Sequence, residues 1–115
     1  MDIMVLRQAV ARAEMTRLAE QGFGDLVKAV VDVRLGIIAV GGELHADEEA
    51  ILLEQGSRQE DLWGINIYPS APPDRLLEFD SIINLRPSRG NRSRSVDDPG
   101  IRDKIRQVVE SLVKP

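Results

Sequence analysis

The sequence predicts a single α+β domain over residues 1–115, with a mainly antiparallel sheet of about four strands in two hairpins, packed on one face by helices. Three observations carry this expectation. Residues 26–33 and 62–68 alternate with the period of two that a pleated strand imposes. Each is followed by a short connection to another β-favouring run, as antiparallel neighbours require. Residues 98–112 instead repeat their apolar positions at helical spacing behind an Asp-Pro start. The predicted order is α-β-β-α-β-β-α, with room for an extra strand at the N-terminus.

Residues 3–6 are apolar and suit either a short strand or the start of the first helix. The following stretch, residues 9–21, is rich in Ala, Leu, Met, Glu and Arg, all good helix formers, and Gly22 offers a left-handed stop. In the next strand Val27, Ala29, Val31 and Val33 share one side of the pleat and Lys28 and Asp32 the other. Arg34-Leu35-Gly36 turns the chain into residues 37–40, which Gly41-Gly42 ends. Asp47 is placed to cap a second helix, with Glu48 and Glu49 in a first turn whose dipole favours negative charge, and Gly56 closes it.

Trp63, Ile65 and Ile67 then face one way and Gly64, Asn66 and Tyr68 the other. The partner strand puts Leu77, Phe79, Ile83 and Leu85 on one side and Glu78, Asp80, Asn84 and Arg86 on the other. Matching the apolar sides of this hairpin predicts a polar face of Asn66, Tyr68, Asp80 and Asn84. In the last helix Asp98 is the N-cap and Pro99 the first helical residue, while Ile101, Ile105, Val108, Val109 and Leu112 form the apolar stripe.

At 115 residues a domain buries roughly 65% of its unfolded surface, so no staples are required. The chain has no cysteine, which excludes disulfides, thiolate zinc ligation and a thiol nucleophile. Its start lacks a basic leader and its apolar runs fall short of the ~20 residues that span a bilayer, so a cytoplasmic, membrane-free protein is expected. The net charge of −4 argues against a general nucleic-acid coat. One Trp, one Tyr and two Phe make no stacking platform for single strands.

The charge is segregated. Seven acids (Glu43, Asp47, Glu48, Glu49, Glu54, Glu60, Asp61) stand against Arg58 alone in residues 43–61, whereas residues 86–94 hold four arginines and no acid. Arginine forks match phosphate or carboxylate, and Gly90 lets backbone N–H groups approach an anion. Arg86, Ser88, Arg89, Asn91, Arg92 and Arg94 are therefore the candidate anion-binding residues; the same arginines also suit ion pairs with the acidic segment. Glu43, His45 and Asp47 carry metal-ligand chemistry but no recognised ligand spacing, and no cofactor motif occurs. His45 and Asp80 are the candidate acid-base residues.

Three stretches, VVDVRLGIIAVGGELHADEEAILLEQGS, QEDLWGINIYP and EFDSIINLRPSRGNRSR, together with FGDLVKAVVDV and DPGIRDKI, resemble an uncharacterised bacterial family of small proteins, domain of unknown function 5674. The resemblance covers most of the chain and implies no activity to carry over. From the residues themselves, the leading expectation is a non-enzymatic binding or interaction module, a homo-oligomer, whose arginine loop meets a phosphate-bearing ligand or an acidic protein. The alternative is a small hydrolase or nuclease using Asp80 or the Glu43/His45/Asp47 group.

Overall fold

A computed structural model describes residues 2–115. Its centre is a five-stranded antiparallel sheet in the order β1-β4-β3-β5-β6, formed by β1 (Met4–Leu6), β3 (Val27–Asp32), β4 (Ile37–Val40), β5 (Leu62–Ile67) and β6 (Leu77–Glu78). The apolar residues at the front thus form a strand, paired to β4 with Val5 opposite Ala39. A second small parallel pair joins β2 (Val10–Ala11) to β7 (Val113–Lys114), tying the two ends of the chain together. The helices are α1 (Arg12–Gln21), α2 (His45–Glu54) and α3 (Pro99–Leu112). Among the described residues, no helix is long and apolar enough to cross a membrane.

Helices cover both faces of the sheet, not one as the pattern predicts. Met15 and Ala19 of α1 and Ile105, Val109 and Leu112 of α3 pack with Ala29, Val31, Ile38, Val40, Ile65 and Ile67. On the opposite face Leu52 of α2 packs with Val30, Ile37, Ala39 and Leu62. The physical reason lies in β3 and β4, whose intervening residues Val30, Ile37 and Ala39 are also apolar, as expected for strands buried on both sides.

Three further boundaries differ. Helix α2 starts at His45, two residues before Asp47, and the side chain at its N-cap position, Leu44, makes no capping bond. Gly22 closes α1 with φ −117° instead of the left-handed geometry. The expected fourth strand stops at Glu78, and a 3-10 turn at Ile82–Asn84 replaces its second half. That turn breaks the period of two: Ile83 packs with the α2 face, whereas Leu77 and Phe79 pack with the other.

The turn lies directly on β5. A Cβ built on Gly64 would sit 2.5 Å from the Ser81 Cβ and 3.2 Å from Ile83 Cγ1, so only glycine admits this approach. Gly64→Ala is therefore expected to cost about 1–3 kcal/mol by overpacking, read as a lower denaturation midpoint. An unchanged midpoint would mean that the 81–84 segment does not pack on the sheet.

Candidate functional site

Residues 86–91 form a small closed turn. Arg86 N–H donates to the Asn91 carbonyl (2.8 Å), Asn91 N–H returns to Arg86 (3.1 Å), and Gly90 takes a left-handed φ of 85° that the reversal requires. Asn91 is buried and acts as scaffold. Its Nδ2 lies 2.7, 3.1 and 2.7 Å from the carbonyls of Asn84, Ser93 and Ser95, and its Oδ1 accepts Asp97 N–H at 2.8 Å. The Ser93 hydroxyl donates to the Asp97 carboxylate (2.6 Å) at the surface.

The four arginines diverge. Arg86 points back over β5: its Nε donates to the Ile83 carbonyl (3.1 Å), one terminal nitrogen to the Leu62 carbonyl, and its guanidinium lies 4.6 Å from the Trp63 ring centroid. Its remaining nitrogen, Nη1, is buried without a partner, and burial pulls its pKa below the ordinary arginine value. Arg89 pairs with Glu60 (3.2 Å) and Arg94 with Asp80 (2.9 Å), both exposed and each worth little by itself. The Arg92 side chain has no hydrogen-bond or ion-pair partner among the described residues.

Arg86 and Arg89 border two open hollows. The first, about 500 Å³, lies towards α3 and is walled by Trp63, Arg58, Asn91 and Ile101, with Glu60, Asp61, Asp97 and Asp98 also in its lining. The second, about 370 Å³, lies towards α2; Ile82, Leu85, Pro87 and Ser88 wall it, and Glu49 is its acid.

The predicted polar face is assembled only in part. Lys28, Asn66 and Glu78 are register partners across β3, β5 and β6. Asn66 Nδ2 (2.8 Å) and the Tyr68 hydroxyl (3.1 Å) both donate to Glu78 Oε1, and burial together with Glu78 raises the tyrosine pKa. Asn84 does not join them. Its amide accepts Gly64 N–H (2.8 Å) and donates to the carbonyls of Gly64 (2.9 Å) and Arg94 (3.1 Å), so it stands in for a missing strand along the free edge of β5. Asp80 is engaged by Arg94.

Above this row sits the first turn of α2. His45 is buried, with Nε2 2.8 Å from the Ile65 carbonyl, to which it donates in the matching tautomer. Burial lowers its pKa. Glu43 and Asp47 are exposed while His45 turns inward, and no group of three His, Asp or Glu side chains among the described residues is placed to share a metal ion.

Glu48 escapes the sequence reasoning, which assigns it only a dipole role. It is fully buried; Oε2 accepts Gly42 N–H at 2.9 Å, Oε1 has no partner, and burial pushes its pKa to about 9. The carboxyl is therefore protonated at neutral pH. A Cβ on Gly42 would lie 2.9 Å from Glu48 Cγ, so the glycine makes room for it. The signal was present in the spacing: His45, Glu48 and Leu52 form one helical stripe, and Leu52 is apolar.

No curated protein and no solved structure matches the chain. A family model does, described as a protein of unknown function (DUF5674) and matching residues 4–112. With nearly its whole length covered, the chain belongs to the DUF5674 family.

Proposed function

We propose that this protein is a non-enzymatic binding module that takes up an anionic group at Arg86 and Arg89. The observation that carries the reading is the state of Arg86. Two backbone carbonyls and the Trp63 ring hold its guanidinium in one orientation at the border of both hollows, and no carboxylate among the described residues pairs with it. A guanidinium fixed before the ligand arrives loses little side-chain entropy on binding. Arg89, held by one exposed ion pair, still has free N–H groups for the same anion.

The test is a titration at rising salt with inorganic phosphate, ATP, a short oligonucleotide and a glutamate-rich peptide. At low ionic strength at least one anion binds, and Arg89→Ala weakens it roughly tenfold, the worth of a charge-assisted hydrogen bond. No binding by any probe, or equal binding by the variant, overturns the reading.

A second reading, a small hydrolase or nuclease, draws on the acid-base chemistry of His45 and Asp80. Against it, His45 Nε2 is occupied by the Ile65 carbonyl and Asp80 by Arg94. Hydrolysis of a phosphodiester or ester probe that His45→Gln and Asp80→Asn each abolish, with the fold retained, would favour it.

A further inference from the structure

We infer that the occupant of the hollow beside α2 is a peptide segment of a partner protein that carries aliphatic anchors next to an acidic side chain. The inference rests on the anion-binding reading above and names the partner. Charge separates the two hollows. The one towards α3 has three arginines (Arg58, Arg86, Arg89) and four acids (Glu60, Asp61, Asp97, Asp98) in its lining, a balance that repels an anion. The one towards α2 has Arg86 and Arg89 against Glu49 as the one acid of its lining; Glu49 makes no ion pair with either arginine among the described residues, and the Glu60 carboxylate that reaches Arg89 lies outside the lining and is exposed.

The walls then decide what bears the anion. Ile82 and Leu85 are 60% and 42% exposed, held out to solvent by the 3-10 turn and its cap, with Pro87 beside them. Leu53 of α2, one helical turn beyond Glu49 and outside the lining, is 41% exposed. Large aliphatic side chains rimmed by arginine are the features of a protein contact, where apolar anchors supply affinity and the charged rim supplies register. A nucleotide would look for an aromatic face for its base, and no aromatic residue lines this hollow. The complement of two cations beside an aliphatic wall is a carboxylate flanked by leucine-like side chains.

The probe is a fluorescent peptide of alternating glutamate and leucine, compared with versions in which serine replaces leucine or lysine replaces glutamate, by anisotropy at low ionic strength. The glutamate-leucine peptide should bind, and both altered peptides should bind at least tenfold more weakly. Ile82→Ser and Leu85→Ser, at exposed positions that keep the thermal midpoint, should each weaken it about tenfold, the worth of one buried aliphatic side chain. Arg89→Ala should do the same. If anions bind and Arg89→Ala weakens them while both serine variants are neutral, the peptide inference falls and the anion site stands. If Arg89→Ala is neutral for every probe, both fall. Displacement of the peptide by ATP through the same apolar residues, or a dimer in solution that Ile82→Ser dissociates, would assign the groove to a nucleotide or to a second copy and overturn the inference.

Discussion

Between pH 7 and pH 9 the protein should lose stability steadily, and Glu48→Gln should abolish most of that loss. The folded chain holds the Glu48 proton up to a pKa of about 9, against an ordinary value of 4.5. Because the folded pKa is raised, the contribution is complete below the unfolded value and disappears as pH climbs towards the folded one. Each pH unit in that window is worth about 1.4 kcal/mol, so the loss between pH 7 and 9 is on the order of 2–3 kcal/mol. Glutamine retains an oxygen for Gly42 N–H and cannot ionise.

His45 acts on the other side. Its folded pKa lies below the ordinary 6.5, so its contribution is complete above that value and is lost as pH falls. The interval above pH 7 therefore isolates Glu48. Chemical denaturation of both proteins across it measures the difference, and a flat native curve would show that Glu48 is ionised in the fold.

Asn84→Ala should cost on the order of 3 kcal/mol, among the largest effects of any polar substitution in the chain. The side chain is fully buried, and its removal leaves both polar groups of Gly64 facing a void at the edge of β5, while the Arg94 carbonyl keeps the Ser81 N–H (3.0 Å). Buried groups stripped of partners carry their full desolvation cost. Asn84→Asp should fare no better, because a carboxylate accepts from Gly64 N–H but sets charge against two carbonyl oxygens. Asn66→Ala provides the contrast: its amide makes one bond, to exposed Glu78, and its Oδ1 has no partner. Equal losses of denaturation midpoint for Asn84→Ala and Asn66→Ala would refute the role given to Asn84.

Local chemistry was legible. The Asp98 carboxylate caps α3 by accepting Gly100 N–H (2.8 Å), and Pro99 stands at the first helical position. The β3–β4 turn falls at the expected Arg34-Leu35-Gly36 connection, with Gly36 at φ 68°, and the structure adds Asp32, whose Oδ1 accepts the N–H groups of Arg34 (2.9 Å) and Leu35 (2.8 Å). Such features involve neighbours a few residues apart, which the order of residues specifies directly. Trp63, Ile65 and Ile67 likewise pack together in the core as their alternation required.

The site was legible as composition and not as arrangement. The arginine cluster is plain in the sequence, yet Arg89 finds its acid 29 residues away, Arg94 finds its own 14 away, and Arg86 caps the carbonyl of Leu62, 24 away. Asn84 looked like part of a polar face because its parity along an extended strand puts it there. A 3-10 turn changes that parity, and the amide became an edge partner of β5.

By itself the sequence determined the α+β class, the capped terminal helix, the first hairpin and the separation of acidic from basic segments, since each follows from periodicity or from contacts between near neighbours. Only the tertiary structure decided that α2 lies on the opposite face from α1 and α3, that Glu48 is sealed beneath it as a neutral acid, and that Arg86 is fixed between two hollows. Those outcomes depend on which of several apolar faces meet and on desolvation at the point of meeting. Both are properties of residues distant in the chain, to which one-dimensional spacing assigns no energy.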